Sequence, residues 1–142
     1  MMEWGDIQKE LESASAMSCK PLGLSRYSKD HVFDENKSVK WNREQVEKAN
    51  QRYDAEVARL NAEKNKRMNA AYNAVYARIQ EDVGHNLSLY AAQAIWGYAE
   101  DRGHSYGFYA TIAYLDDLMD LVSRILKKEE WCREHKNDSE VK

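Results

Sequence analysis

The sequence predicts an all-α fold: a short N-terminal helix, an irregular segment, one very long helix of about 40 residues, and two helices packing on its C-terminal half. Three observations lead there. Helix breakers are scarce, with one proline, Pro21, and six glycines in 142 residues. No Gly or Pro falls between Asn42 and Val83. The composition, 32% charged with a mean hydropathy of -0.83, is that of long solvated helices.

Residues 3–16 read as an amphipathic helix. Trp4, Ile7, Leu11 and Ala14 share one face, and Asp6 near the start suits the helix dipole. Residues 17–41 do not read as a helix. Pro21 and Gly23 interrupt it, and Ser25, Ser28 and Asp30 are turn formers. The segment is rich in apolar residues all the same, and Val32-Phe33 with Val39–Trp41 suggest a small hairpin. An irregular stretch of this length inside a small domain points to function or disorder, and the apolar content argues against simple disorder.

Residues 42–83 are expected to be one helix, about 60 Å long. Its apolar stripe is Val46, Ala49, Tyr53, Val57, Leu60, Lys64, Met68, Ala71, Val75 and Ile79. The steps repeat every eleven residues, which implies a nearly straight or slightly right-handed pairing. So thin a stripe cannot stabilise a lone helix. It must lean on the last helix, a second copy or a partner, and residues 42–66 are expected to project or to fold against the N-terminal helix. The helix should stop at Gly84-His85-Asn86.

Ser88 is placed to cap a third helix over 88–102, with Gly103 as its C-terminal glycine. Ser105 is placed to cap a fourth. That helix carries the heptad seam Phe108, Ile112, Leu115, Met119, Val122 and Leu126 and runs on to Trp131. The expected organisation is one helical domain over 1–136, with a disordered tail at 137–142.

Composition limits the function. The net charge of -3 and pI near 5.8 disfavour direct binding of nucleic acid by the chain as a whole. The dense basic run is Lys64-Asn65-Lys66-Arg67, whereas acids gather at Glu100, Asp101, Asp116, Asp117 and Asp120. No apolar run reaches the ~20 residues that span a bilayer. The start lacks a signal-peptide pattern. Cys19 and Cys132 read as ordinary thiols. The expected location is the cytoplasm, with no membrane association.

No motif carries catalysis. His104 and Ser105 adjoin at a tight turn, but capping explains them more simply. Asp116 and Asp120, with His85 or His104, lack metal-ligand spacing, so no metal or cofactor is expected. Asn61, Asn65, Asn69 and Asn73 recur every four residues beside Lys64, Lys66 and Arg67, which gives a weak nucleic-acid reading for Lys64, Lys66, Arg67 and Asn69. Interleaved Glu residues make a solvated face the simpler account. The aromatic content is the sharper signal: nine Tyr and four Trp exceed what a core of this size can bury with satisfied hydroxyls. Some should face a partner.

The stretch Ala94-Ile95-Trp96-Gly97-Tyr98-Ala99, then Gly103–Gly107, Tyr114-Leu115 and Leu118–Leu126, resembles the C-terminal part of small accessory proteins of phages and prophages of Gram-positive bacteria. The resemblance covers residues 94–126. Some proteins of that kind inhibit host defence, including CRISPR nucleases, so it implies an inhibitor and no catalytic residues. The expectation is therefore a non-enzymatic module that occupies the surface of a host protein, such as a nucleic-acid-processing nuclease. Its contacts are expected from Trp41, Tyr27, Phe33, Tyr53, Asp116 and Asp120. The alternative is a self-associating coiled coil, a homodimer through the long helix.

Overall fold

The computed structural model describes residues 2–136, and the expected tail at 137–142 lies outside them. Its helices are α1 (Trp4–Ala16), α2 (Val39–Val83), α3 (Leu89–Gly103) and α4 (Phe108–Glu134). A 3-10 turn, His104–Tyr106, joins the last two. No β-strand forms among the described residues. The all-α expectation holds, as does the long helix with two C-terminal helices on its second half.

α2 is 45 residues long and starts three residues before the expected Asn42. Ser38 is the reason. Its Oγ accepts the Trp41 N–H at 3.0 Å, and its carbonyl accepts the first helical bond, from Asn42. Val39–Trp41 are therefore helical, and the expected hairpin with Val32-Phe33 does not form. A side-chain cap outweighs the strand-like look of Val and Trp. At the far end Gly84 takes φ 69°, and its N–H returns to the Gln80 carbonyl at 2.9 Å. His85 and Asn86 follow with φ 55° and 54°, a conformation these two residue types tolerate. The His85 ring meets the Glu130 carboxylate at 3.3 Å, which ties this bend to α4.

The eleven-residue stripe of α2 is real. Val46, Ala71, Val75 and Ile79 are buried, and its other six members are half-buried. Two compact units share the helix. One comprises Met1–Ser13 and Met68–Lys142, here the core unit, and the other Ala14–Arg67, here the strap unit.

In the core unit, Ile7 and Leu11 of α1 join Ala71, Val75 and Ile79 of α2, Ile95 and Trp96 of α3, and Leu115 and Met119 of α4. Polar contacts fix the entry of α1. Trp4 Nε1 donates to Asp82 at 2.9 Å, and Arg78 pairs with Asp82 at 3.0 Å while reaching the Met2 carbonyl. This corrects the expectation that residues 42–66 would fold against the N-terminal helix. Ile7 and Leu11 need a broad apolar partner, and the richest part of the stripe is Ala71–Val83.

Ser88 caps α3 as expected, its Oγ accepting the Ala91 N–H at 3.1 Å. Two other caps differ from expectation. Gly103 is not a left-handed terminus; its φ is -101°. An added Cβ would lie 2.6 Å from the Thr111 Cα and N, so Gly103 is glycine because α4 passes that closely. Ser105 is not the N-cap residue of α4. Gly107, at φ 93°, precedes the helix with no side-chain cap bond.

In the strap unit, residues 17–38 run alongside α2 in the opposite direction. Met17 Sδ lies 3.9 Å from Arg67 Nη1, Arg26 pairs with Asp54 at 3.2 Å, Tyr27 bonds to Asn50, and Phe33 and Asp34 bond to Asn42. Asparagine does most of the work. Asn50 accepts the Tyr27 N–H at 2.8 Å and donates to its carbonyl at 3.1 Å. Asn42, buried, accepts the N–H groups of Phe33 and Asp34 and donates to the carbonyls of Asp34 and Ser38. The partner that the first half of α2 requires is thus its own upstream segment.

Candidate functional site

The structure sorts the aromatic surplus into two groups. Tyr72 and Tyr76 pack against the core in parallel at 6.3 Å, and Trp96 meets Tyr72 edge-on at 6.4 Å. Glu100 accepts from Trp96 Nε1 at 3.2 Å and from the Tyr72 hydroxyl. Burial, and then the charge of Glu100, push both phenols above their usual range. These rings are structural.

Tyr90, Tyr98, Tyr106, Tyr109 and Tyr114 are not. All five are exposed, from 43% at Tyr114 to 82% at Tyr90. Four of them form one surface. Tyr98, Arg102, Tyr114, Asp117, Leu118 and Leu121 line a hollow of about 430 Å³ between α3 and α4. Tyr106, Tyr109, Ala110, Ala113, Tyr114 and Asp117 line a second, of about 370 Å³. Tyr114 and Asp117 belong to both, so the two are continuous. The cause is local. α4 carries two stripes: the expected seam through Leu115 and Met119 points inward, and Ala110, Tyr114, Asp117 and Leu121 follow the opposite side at helical spacing, with Tyr106 of the preceding turn beside them. Ordinary tyrosine areas put the exposed rings at roughly 450 Å². That sum includes the polar hydroxyls; the largest apolar patch on a typical monomer, about 300–600 Å², is often functional.

One carboxylate, Asp117, and one guanidinium, Arg102, line these hollows; Asp116 and Asp120 do not. Asp120 holds Arg124 at 2.6 Å. Asp116 is raised above the ordinary carboxylate range, first by loss of solvent and then by the charges of Asp82 and Asp117. Arg102 lies 5.6 Å over the Tyr98 ring.

Of the residues singled out from sequence, Tyr27, Phe33 and Trp41 come together in the strap unit. Tyr27 and Phe33 meet edge-on at 4.8 Å with His31 against both, and Phe33 and Trp41 line one groove. Tyr53 is half-buried in the α2 stripe rather than displayed. Asp116 and Asp120 lie on α4, in the core unit. Lys64 and Lys66 do not share a side of α2, being about 200° apart on the helix. Lys64 is half-buried, as is Arg67, whose Nη1 contacts Met17 Sδ. Asn61, Asn65, Asn69 and Asn73 are exposed. The asparagines that act in the structure are Asn42 and Asn50, outside that row. The sequence places Tyr98, Tyr106, Tyr109 and Tyr114 in or near the core and does not single them out as the rings that face a partner. The second stripe of α4 is a signal that could have picked out Tyr114.

Among the described residues no group of His, Cys, Asp and Glu is arranged to hold a metal ion, and no helix is long and apolar enough to cross a membrane. Cys19 and Cys132 are free thiols. The chain matches no family model, no curated protein and no solved structure.

Proposed function

We propose that this chain is a non-enzymatic protein-binding module that docks through the tyrosine face of α3 and α4. The continuous surface of Tyr98, Tyr106, Tyr109 and Tyr114 carries the reading. Tyrosine supplies large, rigid contact area at low entropic cost. Here the rings line two adjoining open hollows, and Asp117 stands in both.

Asp117, which lines both hollows, favours a partner surface that carries basic groups. The nucleic-acid groove of a nuclease or another nucleic-acid-processing protein is such a surface. Occupying it would block the partner without any chemistry, which is the inhibitor expectation in physical terms. Self-association through α2 has less support, because Val46, Ala71, Val75 and Ile79 are already buried within one chain.

The test is a paired capture from host lysate, wild type against Tyr109→Ala/Tyr114→Ala, each treated with nuclease and quantified by mass spectrometry. A protein retained by the wild type and lost with the variant, at unchanged helicity, supports the reading. Equal recovery from both baits sinks it.

A further inference from the structure

The strap unit differs in charge from the rest of the chain. Residues 14–67 contain twelve Lys and Arg against eight Asp and Glu, and the remaining residues contain nine against sixteen. The net charge of -3 hides this. In the strap unit, Phe33, Trp41, Gln45, Lys48, Ala49 and Arg52 line a groove of about 300 Å³. Lys37 stands over the Trp41 ring, Nζ 5.8 Å from its centroid. No carboxylate is among the lining residues.

We propose that this groove binds single-stranded nucleic acid, with Phe33 and Trp41 stacking on bases and Lys37, Lys48 and Arg52 neutralising phosphates. Trp41, Gln45, Lys48 and Arg52 fall at i, i+4, i+7 and i+11, so one side of α2 presents them over about 16 Å. That length suits roughly four nucleotides, the lower end of single-strand site sizes.

The aromatic platform is held in place rather than merely exposed. The Phe33 N–H is fixed by Asn42 Oδ1 at 2.8 Å, and Tyr27 and His31 brace its ring edge-on. Trp41 is anchored in the first turn of α2 by Ser38. A 40% exposed Phe ring so restrained loses little entropy on stacking. Glu56, one turn beyond Arg52, is held by Arg59, which also pairs with Glu63. That pairing lowers the repulsion an incoming phosphate would meet.

A single strand fits better than the other anionic ligands. An acidic peptide would use the cations and leave the two rings without planar partners. Bases in a duplex already stack on one another and present no free faces. The site is independent of the tyrosine face, so either can fail alone.

The experiment is fluorescence anisotropy of a short fluorescein-labelled oligothymidylate titrated with the whole chain. Binding should weaken about 20-fold between 50 and 200 mM salt, as three phosphate contacts on a single strand require. Trp41→Ala should weaken it at least about 5-fold, and Trp41→Phe, which keeps a stacking ring, should restore most of the loss. Lys48→Gln/Arg52→Gln should flatten the salt dependence without changing helicity. The proposal is overturned by no binding at 50 mM salt, by equal affinity for a duplex of the same length, or by a Trp41→Phe variant as weak as Trp41→Ala. Loss of binding in Lys64→Gln/Lys66→Gln, with Lys48→Gln/Arg52→Gln unaffected, would overturn it too.

Discussion

The two halves of α2 are ordered by different forces. From Ala71 to Val83 the helix is packed into apolar side chains from three other helices. From Asn42 to Asp54 it is held by hydrogen bonds and an ion pair to an extended strap. Apolar burial gains free energy in proportion to area and needs no particular geometry. A polar clamp gains little net energy, yet losing one partner leaves buried groups unsatisfied. The core unit should therefore set global stability, and the strap unit should open locally first.

The largest expected effect lies in the core unit. Gly103→Ala drives a Cβ into the Thr111 backbone, which has no flexible end to yield. A cost of about 3 kcal/mol or more is expected, and a Tm lower by roughly 10 °C. Gly97→Ala is the control, because nothing lies within 4 Å of its added Cβ. That change should be neutral or slightly stabilising, from helix propensity. Equal effects of the two would mean that the α3–α4 contact is not close.

Asn42→Ala comes next. It removes four hydrogen bonds from a buried side chain and strands the amides of Phe33 and Asp34. About 2 kcal/mol is expected, felt locally. Hydrogen exchange should quicken at Tyr27–Asp34 and stay unchanged at Val75, Ile79 and Leu115. Uniform quickening across both sets would show that the two regions unfold as one. Arg26→Ala, which breaks an exposed pair, should cost under about 0.5 kcal/mol by thermal melting.

Legibility in the sequence follows the same division. Apolar periodicity disclosed the α2 stripe, the α4 seam and the inward face of α1, because burial depends on spacing. It did not disclose the strap, because hydrogen bonds from Asn42 and Asn50 to backbone leave no periodic trace. Asn61, Asn65, Asn69 and Asn73 made a regular row that turned out to be solvated. Ser38 was legible as a cap in principle, but Val39 and Trp41 resembled a strand. Gly103 was read by the commoner meaning of a helix-end glycine, whereas its reason is Thr111, eight positions on and unknowable before α3 and α4 are packed. The tyrosine face was half-legible. The surplus of rings was countable, but which rings faced outward depended on where α3 settled on α4.

The smallest effect sharpens the comparison from the opposite side, since Asp116 is a polar group in the core unit that lacks what Asn42 has. Its carboxyl is raised, mainly by lost solvent and then by Asp82 and Asp117. A raised carboxyl pKa means the folded chain holds the proton longer than the unfolded chain does. Stability then falls as pH rises from the ordinary value near 4 through the raised one, and the penalty persists at neutral pH. Asp116→Asn removes it. The variant should melt up to about 2 °C above wild type at pH 7, because a partly solvated charge is worth little, and the difference should vanish as pH falls below about 4. Salt separates the causes. It screens Asp82 and Asp117 but does not restore lost solvent, so high salt should erase only part of the gain. Full erasure would make like-charge repulsion the larger cause. A variant less stable than wild type at pH 7 would mean that the Asp116 carboxylate holds a stabilising contact in the folded chain.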